Sequence, residues 1–207
     1  VSVNPQTMQE KTLKLIGRRH SVRDIILVLE KIRQQGNLSV NMDIIVGLPG
    51  EGAQELTDTM AQIAHLAPDN LTVHTLAIKK GSLLKGDRQG FTLPGEETVA
   101  RMLAIADGCA REWGMVPYYL YRQKYMTGNL ENVGYARPGS EGIYNIQIIE
   151  ERQTILGIGP NAATKAVNAR DLQLRSSYMP KDLGTYNLQL EKFLDRRQQL
   201  LANLFTS

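Results

Sequence analysis

Two groups of residues in this sequence have the types and spacing to do chemistry. The first lies in Asn41–Gly52, NMDIIVGLPGEG, where a carboxylate sits within a β-branched run that gives way to glycine and proline. That order reads as a strand followed by a tight loop. If the strand alternates, Asn41, Asp43 and Ile45 share one face while Met42, Ile44 and Val46 share the other. A parallel strand between two layers is normally apolar throughout, so a central carboxylate is costly unless it has partners. Asp43 is therefore the first site candidate; a buried aspartate that satisfies neighbouring backbone groups is the open alternative. The second group is Tyr118, Tyr119, Tyr121, Arg122, Lys124 and Tyr125. Aromatic rings interleaved with cations can stack on bases, cover a flat anionic ring system, or join two parts of a fold.

Arg18, Arg19 and His20 follow Gly17 immediately before a helical pattern. A guanidinium placed there can hold a carboxylate in a bidentate pair, and a solvated basic turn is the alternative. Other motifs exclude more than they assign. GLPGEG has no following Lys-Ser/Thr pair and is not a nucleotide-cradling loop. Gly157-Ile-Gly159-Pro-Asn-Ala162 resembles a dinucleotide fingerprint, but Pro160 removes a backbone donor where phosphate would sit, so it reads as a structural or ligand-lining turn. The single cysteine, Cys109, excludes an internal disulfide and any multi-cysteine metal site within the chain. His20, His65 and His74 lack ligand spacing, and no nucleophile and base form a pair.

The elements that must position these residues follow from periodicity. With 207 residues and 42% hydrophobic content the chain can bury one sizeable core. The net charge is +3, with the charges scattered, which suits a small anionic ligand better than a nucleic-acid track. No apolar run is long enough to span a bilayer and no signal peptide is present, so the expected compartment is the cytoplasm. VSVNPQ reads as the end of a strand, an abrupt start that points to a piece of a larger protein.

A short helix is expected between Gln6 and Ile16, and a better one opens at Ser21, with Asp24 as its acidic cap and Val22, Ile25, Ile26, Leu29 and Ile32 as its stripe. The alternation continues with a strand over Leu38–Val46, a helix over Gln54–Ala64 and a strand over Leu71–Ile78. Lys79–Gly95 is a long loop, Glu96–Trp113 a helix that packs Cys109 in its core, and Met115–Leu120 a strand. Val3, Val40, Val73 and Val116 recur at the spacing of successive βα units, which predicts parallel α/β architecture, as an open sheet or part of a barrel. Beyond Tyr121 the rhythm changes. Strands are expected at Tyr144–Ile149, Arg152–Gly159 and Gln173–Tyr178, then a helix over Leu188–Phe205 with Leu188 among its inward residues.

VNPQT, IGRRH, NMDIIVGLPGE, the His74–Ala77 strand end, YYLYRQKYMTGNLENVGYA and ILGIGPNAATK together resemble the radical S-adenosylmethionine proteins. The resemblance extends over the whole chain. It is nearest to the oxygen-independent coproporphyrinogen III oxidase-like family, in particular to its coproporphyrinogen dehydrogenases. The resemblance implies the C-terminal portion of a partial (β/α)6 barrel at 1–121, followed by a mixed α+β region at 122–207 that covers substrate. It implies S-adenosylmethionine and a 4Fe–4S cluster as cofactors, an electron donor as partner, and oxidative decarboxylation of coproporphyrinogen III propionates to vinyl groups in heme biosynthesis. It places Gln6, Arg18, Asp43, Ile45 and Ala77 against S-adenosylmethionine: Arg18 on the methionyl carboxylate, Asp43 on the ribose hydroxyls, Ile45 and the backbone near Ala77 along the adenine. Arg122 and Lys124 are the expected contacts to tetrapyrrole propionates.

The cluster loop of that family, CxxxCxxC, needs three cysteines, and this chain has one. The chain alone is therefore expected to be inactive and the parent enzyme active. A heme-binding chaperone of the same family, or a non-catalytic tetrapyrrole-binding protein, is the alternative. An open parallel edge predicts association between copies, or partial disorder in Lys79–Gly95 and Arg122–Ser140.

Overall fold

The computed structural model describes residues 1–77, 92–122, 130–168 and 170–202. It separates into two compact units, Val1–Gly142 and Ile143–Ser207.

The first unit is built on a five-stranded sheet. In chain order its elements are β1 (Ser2–Gln6), α1 (Glu10–Leu15), α2 (Val22–Gln34), β2 (Asn41–Val46), α3 (Ala53–Leu66), β3 (Asn70–Thr75), α4 (Glu96–Glu112), β4 (Val116–Tyr121) and β5 (Asn132–Ala136). Strand order is β1-β2-β3-β5-β4. β1, β2 and β3 pair in parallel, whereas β5 pairs antiparallel with both β3 and β4. β4 thus points the same way as β3 but is separated from it by β5. The spacing of Val116 fits this direction, while the intervening strand comes from the segment that reads as polar. The described sheet is open and does not close into a barrel.

The helices cover one face. Ser21 starts α2 as a capping box: its Oγ accepts from the Asp24 N–H at 3.2 Å while Asp24 accepts from the Ser21 N–H at 2.8 Å. Ile25 and Leu29 of α2, Leu56, Met60 and Ile63 of α3, and Val99, Met102, Ala106 and Ala110 of α4 meet Met42, Ile44, Val46, Leu71 and Val73 of the sheet. Met42, Ile44 and Val46 have no solvent exposure at all. Cys109, partly buried, packs against the same core.

The second unit holds α5 (Ile143–Ile149), the antiparallel pair β6 (Ala163–Val167) and β7 (Leu174–Tyr178), and α6 (Leu183–Ala202), whose backbone breaks from helical geometry at Gln189. Three expectations are corrected here. Tyr144–Ile149 is helix rather than strand. Ile143, Ile146 and Ile149 recur at helical spacing just as Tyr144, Ile146 and Ile148 alternate, and among the described residues no strand pairs with the segment. Arg152–Gly159 makes a single bridge, Ile155 to Lys165, and no strand. Its ladder stops at Gly157, whose N–H bonds the Thr164 hydroxyl and whose added Cβ would meet the Ala163 carbonyl oxygen at 2.4 Å. Leu188 is 87% exposed rather than inward, one residue before the break at Gln189 rotates the helix face.

No helix among the described residues is long and apolar enough to cross a membrane. Residues 79–91 and 123–129 of the two segments expected to be partly disordered lie outside the described residues, as does residue 78.

Candidate functional site

The alternation of β2 decides what its carboxylate meets. Met42, Ile44 and Val46 go under the helices, which turns Asn41, Asp43 and Ile45 onto the opposite, half-buried face. In register beside them on β3 stand Asn70, Thr72 and His74. Asp43 is therefore part of a polar surface rather than an isolated buried charge. Asn41 Nδ2 donates to Asp43 Oδ1 at 2.6 Å and to Ser2 Oγ at 2.9 Å, and Asn41 Oδ1 accepts from the Thr72 hydroxyl at 3.1 Å. His74 Nε2 faces Asp43 Oδ2 at 3.9 Å, which is longer than a direct hydrogen bond. Burial opposes ionisation of Asp43, but His74 and Asn41 outweigh it and hold the carboxyl below the usual aspartate range.

Tyrosines close this face on the far side. Tyr119 pairs with Gly134, which itself pairs with Thr72, and the Tyr119 hydroxyl shares a 3.1 Å hydrogen bond with Thr72. Burial pushes the Tyr119 phenol up to about 12, so it stays protonated. Tyr121 stacks on Tyr119 with ring centroids 6.2 Å apart, and its hydroxyl reaches His74 Nδ1 at 3.2 Å. One connected polar and aromatic face thus runs from Ser2 on β1 to Tyr121 on β4. Asn70 Oδ1 is its one buried side-chain oxygen without a hydrogen-bond partner among the described residues.

The remaining candidates gather at the C-terminal ends of the strands. Gln6 ends β1 in a left-handed conformation, φ 69°, is buried, and donates to the Asn4 carbonyl at 3.3 Å. Arg18 and Arg19 are exposed in the turn before α2. Because α2 runs back toward the start of β2, its N-terminus must lie beside the end of β1, and His20 Nε2 stands 3.4 Å from the Pro5 carbonyl there. Ile45 pairs in register with His74, and Ala77 follows the end of β3, both half-buried. Arg122, just beyond β4, forms an exposed pair with Glu131 at 3.0 Å. Lys124 lies outside the described residues.

Two residues of this region carried no signal of their own. Glu51, in the loop after β2, is 4% exposed and accepts from the Thr7 hydroxyl at 2.7 Å, which ties the loop after β1 to the loop after β2. Burial pushes its carboxyl up, against the Thr7 and Thr12 hydrogen bonds. The glycines and proline around it mask a buried role that an acid in such a loop can hint at. His74 was visible as one histidine without a ligand pattern and as the start of the His74–Ala77 strand end; its relation to Asp43 depends on the β2–β3 register.

An ionised carboxylate on an accessible polar face accepts from paired hydroxyl donors, so the donor set fits a sugar. It does not fit an iron–sulfur cluster. Cys109 belongs to helix α4, burial pushes its thiol up, and no group of three or more acidic, histidine or cysteine side chains among the described residues could hold a metal.

Comparison with known proteins agrees with this geometry. Residues 1–63 match the radical SAM superfamily. The oxygen-independent coproporphyrinogen-III oxidase-like protein HemZ of Bacillus subtilis is 43% identical over 205 residues, which is 99% of this chain and 41% of that protein. The heme chaperone HemW of Bacillus subtilis is 24% identical over 81% of this chain and 43% of its own length. Among solved structures, coproporphyrinogen III oxidase (HemN) from Escherichia coli, a radical SAM enzyme, superposes with a TM-score of 0.65 at 19% identity, over 92% of this chain and 43% of that one. The chain thus spans about two fifths of the length of these relatives. The open sheet shares the fold of that solved structure, and the chain carries a radical SAM domain closely related to the HemZ- and HemN-type proteins, without the three cysteines of a cluster loop.

Proposed function

We propose that this chain is the cofactor-holding part of an oxygen-independent coproporphyrinogen III dehydrogenase, a cytoplasmic oxidoreductase of heme biosynthesis. The observation that carries the reading is Asp43: an aspartate held ionised on the polar face of a sheet whose other face is sealed by three helices. In this reading its strand belongs to a partial (β/α)6 barrel over 1–121, and 122–207 covers the substrate. Asp43 accepts from the ribose hydroxyls of S-adenosylmethionine. Arg18 holds the methionyl carboxylate from the turn before α2, Gln6 reaches the same ligand from the end of β1, and Ile45 and the backbone near Ala77 pack along the adenine. Arg122 and Lys124 take the tetrapyrrole propionates.

S-adenosylmethionine, together with a 4Fe–4S cluster on cysteines that this chain lacks, supplies hydrogen-atom abstraction from the propionates. The chain's own residues hold, orient and exclude water. Asn41 fixes one oxygen of Asp43 before any ligand arrives, and Tyr119, protonated and bonded to Thr72, keeps the neighbouring wall neutral. An electron donor completes the reaction, and the open sheet edge is where further strands of a parent enzyme, or another copy, pair.

The test uses the full-length parent, cluster-reconstituted without oxygen and given reductant, S-adenosylmethionine and coproporphyrinogen III. Porphyrin products and 5′-deoxyadenosine are quantified together. Both form, and Asp43→Asn abolishes both. Heme retention with neither product moves the function to heme handling on the same fold.

A further inference from the structure

The polar face holds one donor whose geometry the reading above leaves unused. Near Asp43 the polar hydrogens are committed: Asn41 Nδ2 to Ser2 and Asp43, the Thr72 hydroxyl to Asn41, and the Tyr119 hydroxyl to Thr72. His74 Nε2 differs. It points at Asp43 Oδ2 and stops 3.9 Å from it. Two ordinary hydrogen bonds of about 2.8 Å can meet at one oxygen placed between such atoms. A sugar hydroxyl needs that arrangement, because it gives one proton and its oxygen accepts another.

The tautomer is set from behind. The Tyr121 hydroxyl lies 3.2 Å from His74 Nδ1, and its ring meets the imidazole edge to face at 6.3 Å. With a carboxylate before Nε2, the favourable neutral form carries its proton on Nε2 and accepts from Tyr121 at Nδ1. We propose that His74 is a second ribose ligand of this site: its Nε2 donates to the hydroxyl that donates to Asp43, and Tyr121 positions it by fixing the tautomer. This rests on the reading of Asp43 as the ribose acceptor, and it adds a requirement for one particular hydroxyl, the one bridged between His74 and Asp43, that a carboxylate alone does not impose.

The 207-residue chain is titrated calorimetrically with 5′-methylthioadenosine, which has the adenine and the ribose diol without a methionyl carboxylate, and with its 2′-deoxy and 3′-deoxy forms. His74→Phe keeps a ring without the donor and weakens binding about tenfold. His74→Gln keeps a donor and recovers most of the loss. One deoxy form binds His74→Phe and the unsubstituted chain equally, which identifies the bridged hydroxyl. Nitrogen-15 spectra of the His74 ring show the Nε2–H tautomer, and Tyr121→Phe diminishes it. If Asp43→Asn loses binding while His74→Phe does not, the role of His74 is overturned and the ribose reading stands. If neither substitution matters, or the unsubstituted chain does not bind, the ribose reading fails and this inference with it. An Nδ1–H tautomer overturns the role given to Tyr121 and Nε2 whatever the affinities.

Discussion

The ring of Tyr119 lies against the backbone of Gly134, so closely that a Cβ on Gly134 would stand 1.9 Å from Tyr119 Cε1. The ring crosses β5 to bring its hydroxyl to Thr72 on β3, and only glycine leaves the space. Gly134→Ala must therefore expel Tyr119. It costs about 1–3 kcal/mol by overpacking, seen as a lower urea midpoint. Tyr119→Phe, by contrast, removes only the hydroxyl and leaves the ring in place. A Gly134→Ala chain as stable as the parent means that Tyr119 does not rest there.

Asp43 links the site to acid stability. Its folded value lies below the ordinary 3.8, so the stability it contributes is complete above 3.8 and is lost as pH falls through the folded value. Asp43→Asn lacks that contribution. Urea midpoints of the two chains should differ at neutral pH and converge as pH falls through the folded value of Asp43.

Glu51 acts with the opposite sign. Its folded value is raised above the ordinary 4.5, so its contribution is complete below 4.5 and is lost as pH rises through the folded value. Glu51→Gln keeps an oxygen for Thr7 and carries no charge. Its thermal midpoint should gain on that of the parent between pH 4.5 and pH 8, and a constant difference across that range would refute the buried, proton-favouring environment.

Ser21→Ala removes the side-chain half of the capping box on α2 and leaves the Ser21 N–H bonded to Asp24. The expected loss is about 1 kcal/mol. Ser21→Asp should restore most of it, since aspartate caps as well as serine, and equal urea midpoints for all three chains would count against the box.

Arg18 and Arg19 are separable by ligand. Affinity for S-adenosylmethionine should fall roughly 10- to 100-fold in Arg18→Ala, the cost of a charged hydrogen-bonded pair, and by less than twofold in Arg19→Ala. Affinity for 5′-methylthioadenosine, which lacks the carboxylate, should not change in either. The same calorimetric titrations read both.

Much of this architecture is written locally. The β-branched run ending in GLPGEG, the Ser21–Asp24 cap, the apolar stripes of α2, α3 and α4, and the face that carries Asp43 all follow from alternation, helical period and turn chemistry. These are near-neighbour effects, so the chain states them residue by residue, and the motifs that resemble a known family rest on the same short stretches. Strand partners are another matter. β5 was hidden because Asn132–Ala136 is five residues long with glycine at its centre; it becomes a strand only between β3 and β4. Ile143–Ile149 satisfied both periods, and it is helix where no strand among the described residues pairs with it.

The site divides in the same way. That Asp43 faces away from Met42, Ile44 and Val46 was fixed by parity along one strand. That it meets His74, and that His74 meets Tyr121, came from the pairing of β2 with β3 and the insertion of β5 before β4, contacts between residues 31 and 47 positions apart in pairs such as Thr72 with Asn41 and with Tyr119. Local sequence sets which side chains a strand offers to each face; only the closing of long loops sets which strands stand side by side, and the sum of all core contacts decides that.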